Sequence, residues 1–150
     1  MPDFFLLFSH TLTNDQKEDA WRTFGVQNFI PLPEDLQARW SNVPPETDTV
    51  DDHLWPILEW LRKQSQPGDY VLIQGDFGMT YLAVAWAFQQ GLIPVYATNR
   101  RQSVETVLPD GTVPKQSIFK HVRFRTYQQI QESLMNPIAH EPRETRERRR

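Results

Sequence analysis

The chain has 150 residues, of which 39% are hydrophobic, and its formal net charge is −3. This length fits one domain with a core of its own, and the absence of cysteine excludes disulfides, thiolate metal sites and cysteine nucleophiles. The four histidines lack metal-ligand spacing, no apolar run approaches the ~18 residues of a membrane span and no signal peptide opens the chain, so we expect a cytoplasmic protein without a metal, a cofactor or a membrane partner.

The charge is unevenly distributed along the chain. Residues 1–76 carry thirteen acidic and five basic side chains, a net charge of −8. Residues 77–127 carry two acidic and six basic side chains, a net charge of +4. An anionic ligand is therefore expected to meet the C-terminal half. The acidic first half argues against a long nucleic acid as partner.

Strands and helices alternate in the N-terminal half. The apolar run Phe4–Phe8 is typical of a strand covered on both faces, and Thr13-Asn-Asp-Gln16 is a capping box that begins a helix. Pro31 places the second strand at or near a sheet edge. In chain order, the predicted elements are a strand over 4–8, a helix over 13–24, a strand over 28–32 and helices over 34–40 and 50–63.

The second half begins with the strand Tyr70–Ile73. The helix predicted over Met79–Gln90 is apolar on nearly all sides, which favours a position deep inside the protein. A strand over 92–97 follows. Residues 103–108 and 117–127 flank the turn 109–112 and predict a β-hairpin.

Strands that alternate with helices imply crossover connections and a mainly parallel sheet. We therefore predict an α/β, Rossmann-like domain over residues 1–127, with helices on both faces of the sheet and a C-terminal antiparallel β-hairpin. Residues 128–150 are expected to form a weak helix over 128–135 and then a charged, disordered tail.

The stretch LIQGDFGMTY contains the Asp-Phe-Gly of protein kinases, but no HRD tripeptide and no VAIK-like strand accompany it. In open α/β sheets, ligands bind where strands end and helices begin, and a helix N-terminus attracts anions. We interpret this loop as facing a nucleotide or anion, or else as a tight turn with a capping Asp76 and no ligand. The candidate ligand-binding residues here are Gln74, Gly75, Asp76, Phe77, Gly78 and Thr80.

Two other strand ends carry polar side chains. Ser9 and His10 follow the first strand, and histidine can transfer protons near neutral pH. Thr98, Asn99 and Arg100 follow the fourth strand, and the guanidinium fork suits phosphate. The alternative for each group is that its side chains are exposed to solvent and bind no ligand.

The last strand is the most basic element. Alternation in FKHVRFR puts His121, Arg123 and Arg125 on one face and Lys120 on the other. Such a row suits a polyanion, or alternatively protects an exposed strand by charge. On this parity, Lys120 and Arg123 cannot face the same ligand.

Five stretches together resemble a known family: FLLFSHTLT, LPEDLQARWSNVPPE, GDYVLIQGDFGMTYLAVAWA, GLIPVYATNRR and FKHVRFRTY. They are similar to the small accessory proteins of type III CRISPR systems, the family numbered twenty in the Csx series. The resemblance covers residues 3–127. It implies a CARF-like Rossmann domain that forms a homodimer and binds a cyclic oligoadenylate, most of all cyclic tetra-adenylate.

Members of this group are thought to be ring nucleases, which end antiviral signalling without a metal by attack of a ribose 2′-hydroxyl on the adjacent phosphate. The resemblance then implies proton transfer by His10 or His121 and phosphate neutralisation by Arg100, Arg123 and Lys120. Ser9, Thr98, Asn99 and the Gly-Asp-Phe-Gly loop would position the ligand. Two alternatives stay open: a sensor or sponge that binds the messenger without cleaving it, and an adaptor that docks on an acidic partner or RNA.

Overall fold

The computed structural model describes residues 1–135 and residue 142. Its elements are β1 Phe4–Leu7, α1 Asn14–Phe24, β2 Phe29–Pro31, α2 Glu34–Ser41, α3 Asp51–Gln64, β3 Tyr70–Ile73, α4 Phe77–Gln89, β4 Ile93–Glu105, β5 Lys115–Thr126 and α5 Glu132–Met135. The last helix covers only four residues of the predicted 128–135. The predicted disordered tail lies, apart from residue 142, outside the described residues. None of the described helices is long and apolar enough to cross a membrane.

The protein is an α/β fold built on one five-stranded sheet, in the order β2-β1-β3-β4-β5. Every neighbouring pair is parallel except β4 and β5, which are antiparallel. The mainly parallel sheet with an antiparallel finish is therefore confirmed. So is the edge position of Pro31, because β2 forms one border of the sheet.

Helices cover both faces of the sheet because the short parallel strands are apolar on both sides. Phe5 and Ile73 point into a core shared with α2, α3 and α4. Phe4 and Leu72 point the other way, into a core shared with α1. Phe4 meets the ring of Phe124 edge-on, with 5.4 Å between ring centroids, which ties β5 to the α1 side.

The prediction of a short strand over 92–97 followed by a separate hairpin strand over 103–108 is wrong. Residues 93–105 form the single strand β4, and its partner β5 is almost equally long. No proline or glycine interrupts the chain between Pro94 and Pro109, so β5 can pair with the polar stretch as readily as with the apolar one. We call residues 99–105 and 115–121 the ribbon; most of its side chains are exposed.

The prediction that α4 packs deep inside the protein is also wrong. Only Met79, Ala83 and Ala87 are buried, while Phe77 is 95% exposed and Tyr81 is 75% exposed. The helix packs against the core through these three side chains and the partly buried Trp86, and it presents Phe77 and Tyr81 to solvent.

Candidate functional site

The loops after β1 and β3 meet at the carboxyl edge of the sheet, because these strands are parallel neighbours. In open sheets with this strand order, the crevice between those two loops is where ligands bind. Here α2 packs against both loops. The Ser41 hydroxyl donates to Ser9 Oγ at 3.0 Å, and the Trp40 indole N–H donates to the Gln74 carbonyl at 3.1 Å.

Several candidate residues in and next to the Gly-Asp-Phe-Gly loop have structural roles. The Asp76 carboxylate accepts from Met79 N at 3.0 Å and so caps α4, which confirms its predicted capping role. A Cβ on Gly75 would lie 2.8 Å from Trp40 Nε1, so only glycine fits there. The Gln74 side chain accepts from Ala97 N at 2.7 Å and holds β4. Contact of this loop with a ligand stays a prediction.

The other three candidate residues of the loop have no such structural role. Phe77 and Gly78 are exposed at the start of α4. The Thr80 hydroxyl is buried and has no hydrogen-bond partner among the described residues. It is therefore screened from solvent, and a phosphate would reach it only after local movement.

A β-bulge reverses the predicted facing of the last strand. Thr98 pairs with Arg123 and Asn99 pairs with His121, which leaves Val122 without a partner. One extra residue shifts the alternation by one position. His121 therefore lies on the α1 side with Phe124, at 4.8 Å between ring centroids, and the prediction that it shares a face with Arg123 is wrong.

The same bulge places Lys120 on the face of Arg123. Lys120 is the cross-strand partner of Arg100, and directly opposed residues share a face. Alternation along β4 puts Arg100 on the side of Thr98, whose partner is Arg123. The expected conflict between Lys120 and Arg123 is thus removed. We call Arg100, Lys120, Arg123 and Arg125 the basic face.

The basic face is a concentrated positive surface. Within residues 1–135 none of its four cations forms a salt bridge. Arg125 lies over the ring of Tyr96, 5.6 Å from its centroid, and donates to the Tyr96 hydroxyl at 3.1 Å. The Thr98 hydroxyl donates to the Arg123 carbonyl at 2.8 Å, which holds the backbone beside the bulge. This face is suited to phosphate groups.

A cleft of about 420 Å³ lies between the N-terminus of α1 and the ribbon. We call it the histidine cleft. Its lining brings together four predicted site residues, His10, Asn99, Lys120 and His121. His10 is exposed and its ring lies 5.3 Å from that of Phe8. The capping box of α1 also contributes, through Thr13 and Gln16.

His121 is held by a residue that sequence reasoning missed. Its Nε2 lies 2.7 Å from Asp19 Oδ2, and its side chain is 5% exposed. Its Nδ1 is buried without a partner among the described residues. Asp19 is 102 positions away on α1, and no motif links the two. With Asp19 accepting from Nε2–H, a neutral ring has its lone pair at Nδ1.

The carboxyl group of Asp19 titrates abnormally. Burial by itself raises its pKa, but hydrogen bonds from His121 and Thr23, with the charge of His121, outweigh burial and lower the pKa below the usual 3.8. A lowered native pKa stabilises the fold above the unfolded-state value, and this stabilisation is lost as the pH falls through the native pKa.

Asp19→Asn is expected to lower the free energy of unfolding by about 1.5 kcal/mol near neutral pH, because it removes a charged hydrogen-bond acceptor from a largely buried pair. The difference from the wild type should shrink as the pH falls from the usual 3.8 of an aspartate through the lower native pKa of Asp19, where its carboxylate becomes protonated. Urea denaturation of the wild type and Asp19→Asn, at neutral pH and at a pH well below 3.8, measures this difference in the free energy of unfolding. Asp15→Asn, at an exposed position of the same helix, is the matched control. An Asp19→Asn difference that is equal at both pH values would assign the effect to packing instead of charge.

The described part of the chain contains no group of three histidine or acidic side chains that could hold a metal ion. The remaining predicted residues are divided between two surfaces: the histidine cleft on the α1 side and the basic face on the α4 side. Lys120 lines the histidine cleft, but its side chain lies on the basic face. Tyr96 and Asp19 were not among the candidates, because their roles depend on contacts between distant elements.

Comparison with known proteins places the chain in a family. The family model described as "Uncharacterized protein MJ1673 family" matches residues 2–125. The chain belongs to the MJ1673 family. It is 50% identical over 127 residues to the uncharacterized protein MJ1673 of Methanocaldococcus jannaschii, an alignment that covers 85% of this chain and 98% of that protein. No solved structure matches significantly.

The region shared with the MJ1673 family contains nearly all of the candidate site. The matched residues 2–125 include the loops after β1 and β3, the histidine cleft and all four cations of the basic face. Residues 126–150, which begin with the last residue of β5, lie outside the family match.

Proposed function

We propose that this member of the MJ1673 family has a CARF-like domain that binds a cyclic oligoadenylate, most of all cyclic tetra-adenylate, and opens it as a metal-independent ring nuclease. The resemblance in residues 3–127 suggests the ligand. The observation that carries the proposal is the histidine cleft, because His10, Lys120 and His121 lie in one cleft beside the carboxyl edge of the sheet. A volume of about 420 Å³ is within the roughly 300–1,000 Å³ of small-molecule sites.

The proposed reaction needs no group that the chain lacks. A ribose 2′-oxygen forms a bond to the adjacent phosphorus while the bond from phosphorus to the 5′-oxygen breaks. His10, the exposed histidine of the cleft, accepts the 2′-hydroxyl proton, and the 5′-oxygen takes a proton from solvent water as it leaves. Lys120 lines this cleft with its side chain on the basic face, and by turning from that face toward the cleft it offsets the charge of the phosphorane. The products are linear adenylates that end in a 2′,3′-cyclic phosphate.

A sensor or sponge is the second candidate, and one observation favours it. Arg100 and Arg123 lie on the face of the ribbon opposite to His121. A ligand bound to the basic face would therefore be held by arginines without contact to the buried histidine. In that case the protein would sequester the messenger and release it unchanged.

Incubation of the full chain with excess cyclic tetra-adenylate and EDTA separates these functions. Liquid chromatography with mass spectrometry should show linear adenylates with a cyclic phosphate, in multiple turnovers per chain. Intact ligand that co-elutes with the protein would indicate a sensor or sponge. The absence of both products and binding would contradict the cyclic-nucleotide proposal. A linear tetra-adenylate of the same composition is the control for nonspecific cleavage.

A further inference from the structure

The solvent side of α4 is apolar. Phe77 and Tyr81 are one turn apart and are 95% and 75% exposed. Val84 and Phe88 continue this row at helical spacing, and α4 contains no charged residue. We call these four residues the α4 stripe. Because burial of apolar surface is favourable, the α4 stripe is suited to contact with other apolar side chains.

The segment that follows β5 carries such side chains. Ile130 and Leu134 are one helical turn apart and are 73% and 54% exposed, and Met135 is 69% exposed. We call residues 128–135 the strap. The sequence predicts a helix over the whole strap, but only Glu132–Met135 is helical. Short helices are marginal without a surface on which to pack, so the strap lacks the contact that would complete its helix.

The strap leaves the sheet beside the α4 stripe. Tyr127, the residue before it, donates from its hydroxyl to the Ile73 carbonyl at 2.6 Å and from its backbone N–H to the Pro94 carbonyl at 3.0 Å. Residues 128–130 then line a groove of about 690 Å³, together with side chains of α4. A short tether gives an effective concentration on the order of millimolar, so the strap has an advantage over any separate chain at this groove.

We propose that the strap docks on the α4 stripe as an α-helix, with Ile130 and Leu134 in the groove. A helix of eight residues is about 12 Å long, and the stripe from Phe77 to Phe88 extends about 16 Å, so the strap fits along it. The uncharged α4 accepts these two side chains without leaving a buried charge unpaired. Docking and completion of the helix therefore occur together.

Docking also changes one end of the basic face. In the described position, residues 128–130 and Leu134 line a hollow of about 540 Å³ together with Tyr96 and Arg125. Leu134 lines this hollow and not the α4 groove, so it leaves the hollow when the strap docks. The space beside Arg125 is then free for an anion. The strap is thus a switch between two positions, one beside Arg125 and one on α4.

Pairs of introduced cysteines test the docked position, because the chain has no cysteine of its own. Ala85 and Gln89 line the groove. We expect full-length Leu134→Cys, combined with Ala85→Cys or with Gln89→Cys, to form an intramolecular disulfide on mild oxidation in at least one of the two pairs, because a disulfide needs Cβ atoms within about 4.5 Å. Leu134→Cys with Trp21→Cys, on α1 at the other face of the sheet, is the matched control and should stay reduced.

Non-reducing electrophoresis and mass spectrometry distinguish the outcomes. Docking would be overturned if neither α4 pair closed, or if disulfides formed only between two chains, at twice the mass of 17.7 kDa. Hydrogen exchange provides a measurement without cysteines. The amides of the strap should exchange at least ~10-fold more slowly in the wild type than in Tyr81→Glu, whereas Trp21→Glu should match the wild type. Equal exchange in the wild type and Tyr81→Glu would also contradict docking.

Calorimetric titration with inorganic triphosphate tests the switch. The cysteine pair that closes should bind triphosphate at least ~3-fold more tightly when oxidised, with the strap held on α4, than when reduced. Adding Arg125→Ala should remove this difference. Equal affinity, or no binding in either form, would overturn the switch and leave the docked strap standing. Because this titration uses no cyclic nucleotide, its result does not depend on the proposed function.

Discussion

Replacing Trp40 with alanine is expected to lower the free energy of unfolding by about 3–5 kcal/mol. Trp40 is 1% exposed and is the largest fully buried side chain of the described residues. Its ring packs against Gly75, and its indole N–H binds the Gln74 carbonyl. The substitution leaves a cavity between α2 and β3 and removes the donor that holds the loop before α4, so both packing and loop position are lost.

Urea denaturation followed by circular dichroism measures this change. Trp55→Ala is the matched control, because Trp55 is 54% exposed on α3 and should change stability by no more than about 0.5 kcal/mol. Trp40→Phe keeps most of the ring and should lose about 1–2 kcal/mol from the missing N–H. A loss below about 1.5 kcal/mol for Trp40→Ala would mean that the loop after β3 does not depend on this side chain.

His10→Ala is expected to slow the cleavage of cyclic tetra-adenylate by about 10²–10⁴-fold, the usual contribution of a general acid or base. Of the two histidines in the cleft, His10 is exposed, whereas His121 is covered and bound to Asp19. A proton acceptor must reach the 2′-hydroxyl, and only His10 can do so without movement of the ribbon. The affinity for the ring should change much less than the rate.

Single-turnover rates and binding constants for the wild type and His10→Ala measure this effect. His53→Gln is the histidine control, since His53 lies on α3 and its ring contacts Arg39 outside the cleft; its rate should stay within about twofold. Melting temperatures show whether His10→Ala is folded, which is expected because His10 makes only a ring contact with Phe8. If His10→Ala were fully active, His10 would not be the proton acceptor, and the rate would depend on His121 or on the positioning of the ring alone.

Local sequence signals determined most element boundaries. The capping box of α1 forms as predicted: Thr13 Oγ1 accepts from Gln16 N at 3.2 Å and the Gln16 side chain accepts from Thr13 N at 2.9 Å. Gly25 ends the helix with a left-handed φ of 72°. Asp76 caps α4 as expected. These features depend on residues three or four positions apart, so the sequence alone predicts them.

The candidate site was predicted less completely. The sequence located the polar strand ends and the basic last strand, and the structure brings two residues of each, His10 and Asn99 with Lys120 and His121, into the histidine cleft. It did not reveal Asp19, which approaches His121 only because α1 packs against β5. It also misplaced α4, because hydrophobicity by itself does not distinguish a buried helix from one with an exposed apolar side.

The sequence by itself therefore determined the α/β class, the caps, the edge strand and the basic character of the last strand, since each follows from spacing or composition within a few residues. Only the tertiary structure decided which side chains share a face. The bulge at Val122 shifts the alternation by one residue. His121 therefore faces α1, and Lys120 lies on the same face as Arg123. Register depends on the pairing of two strands, and pairing is a property of the folded sheet.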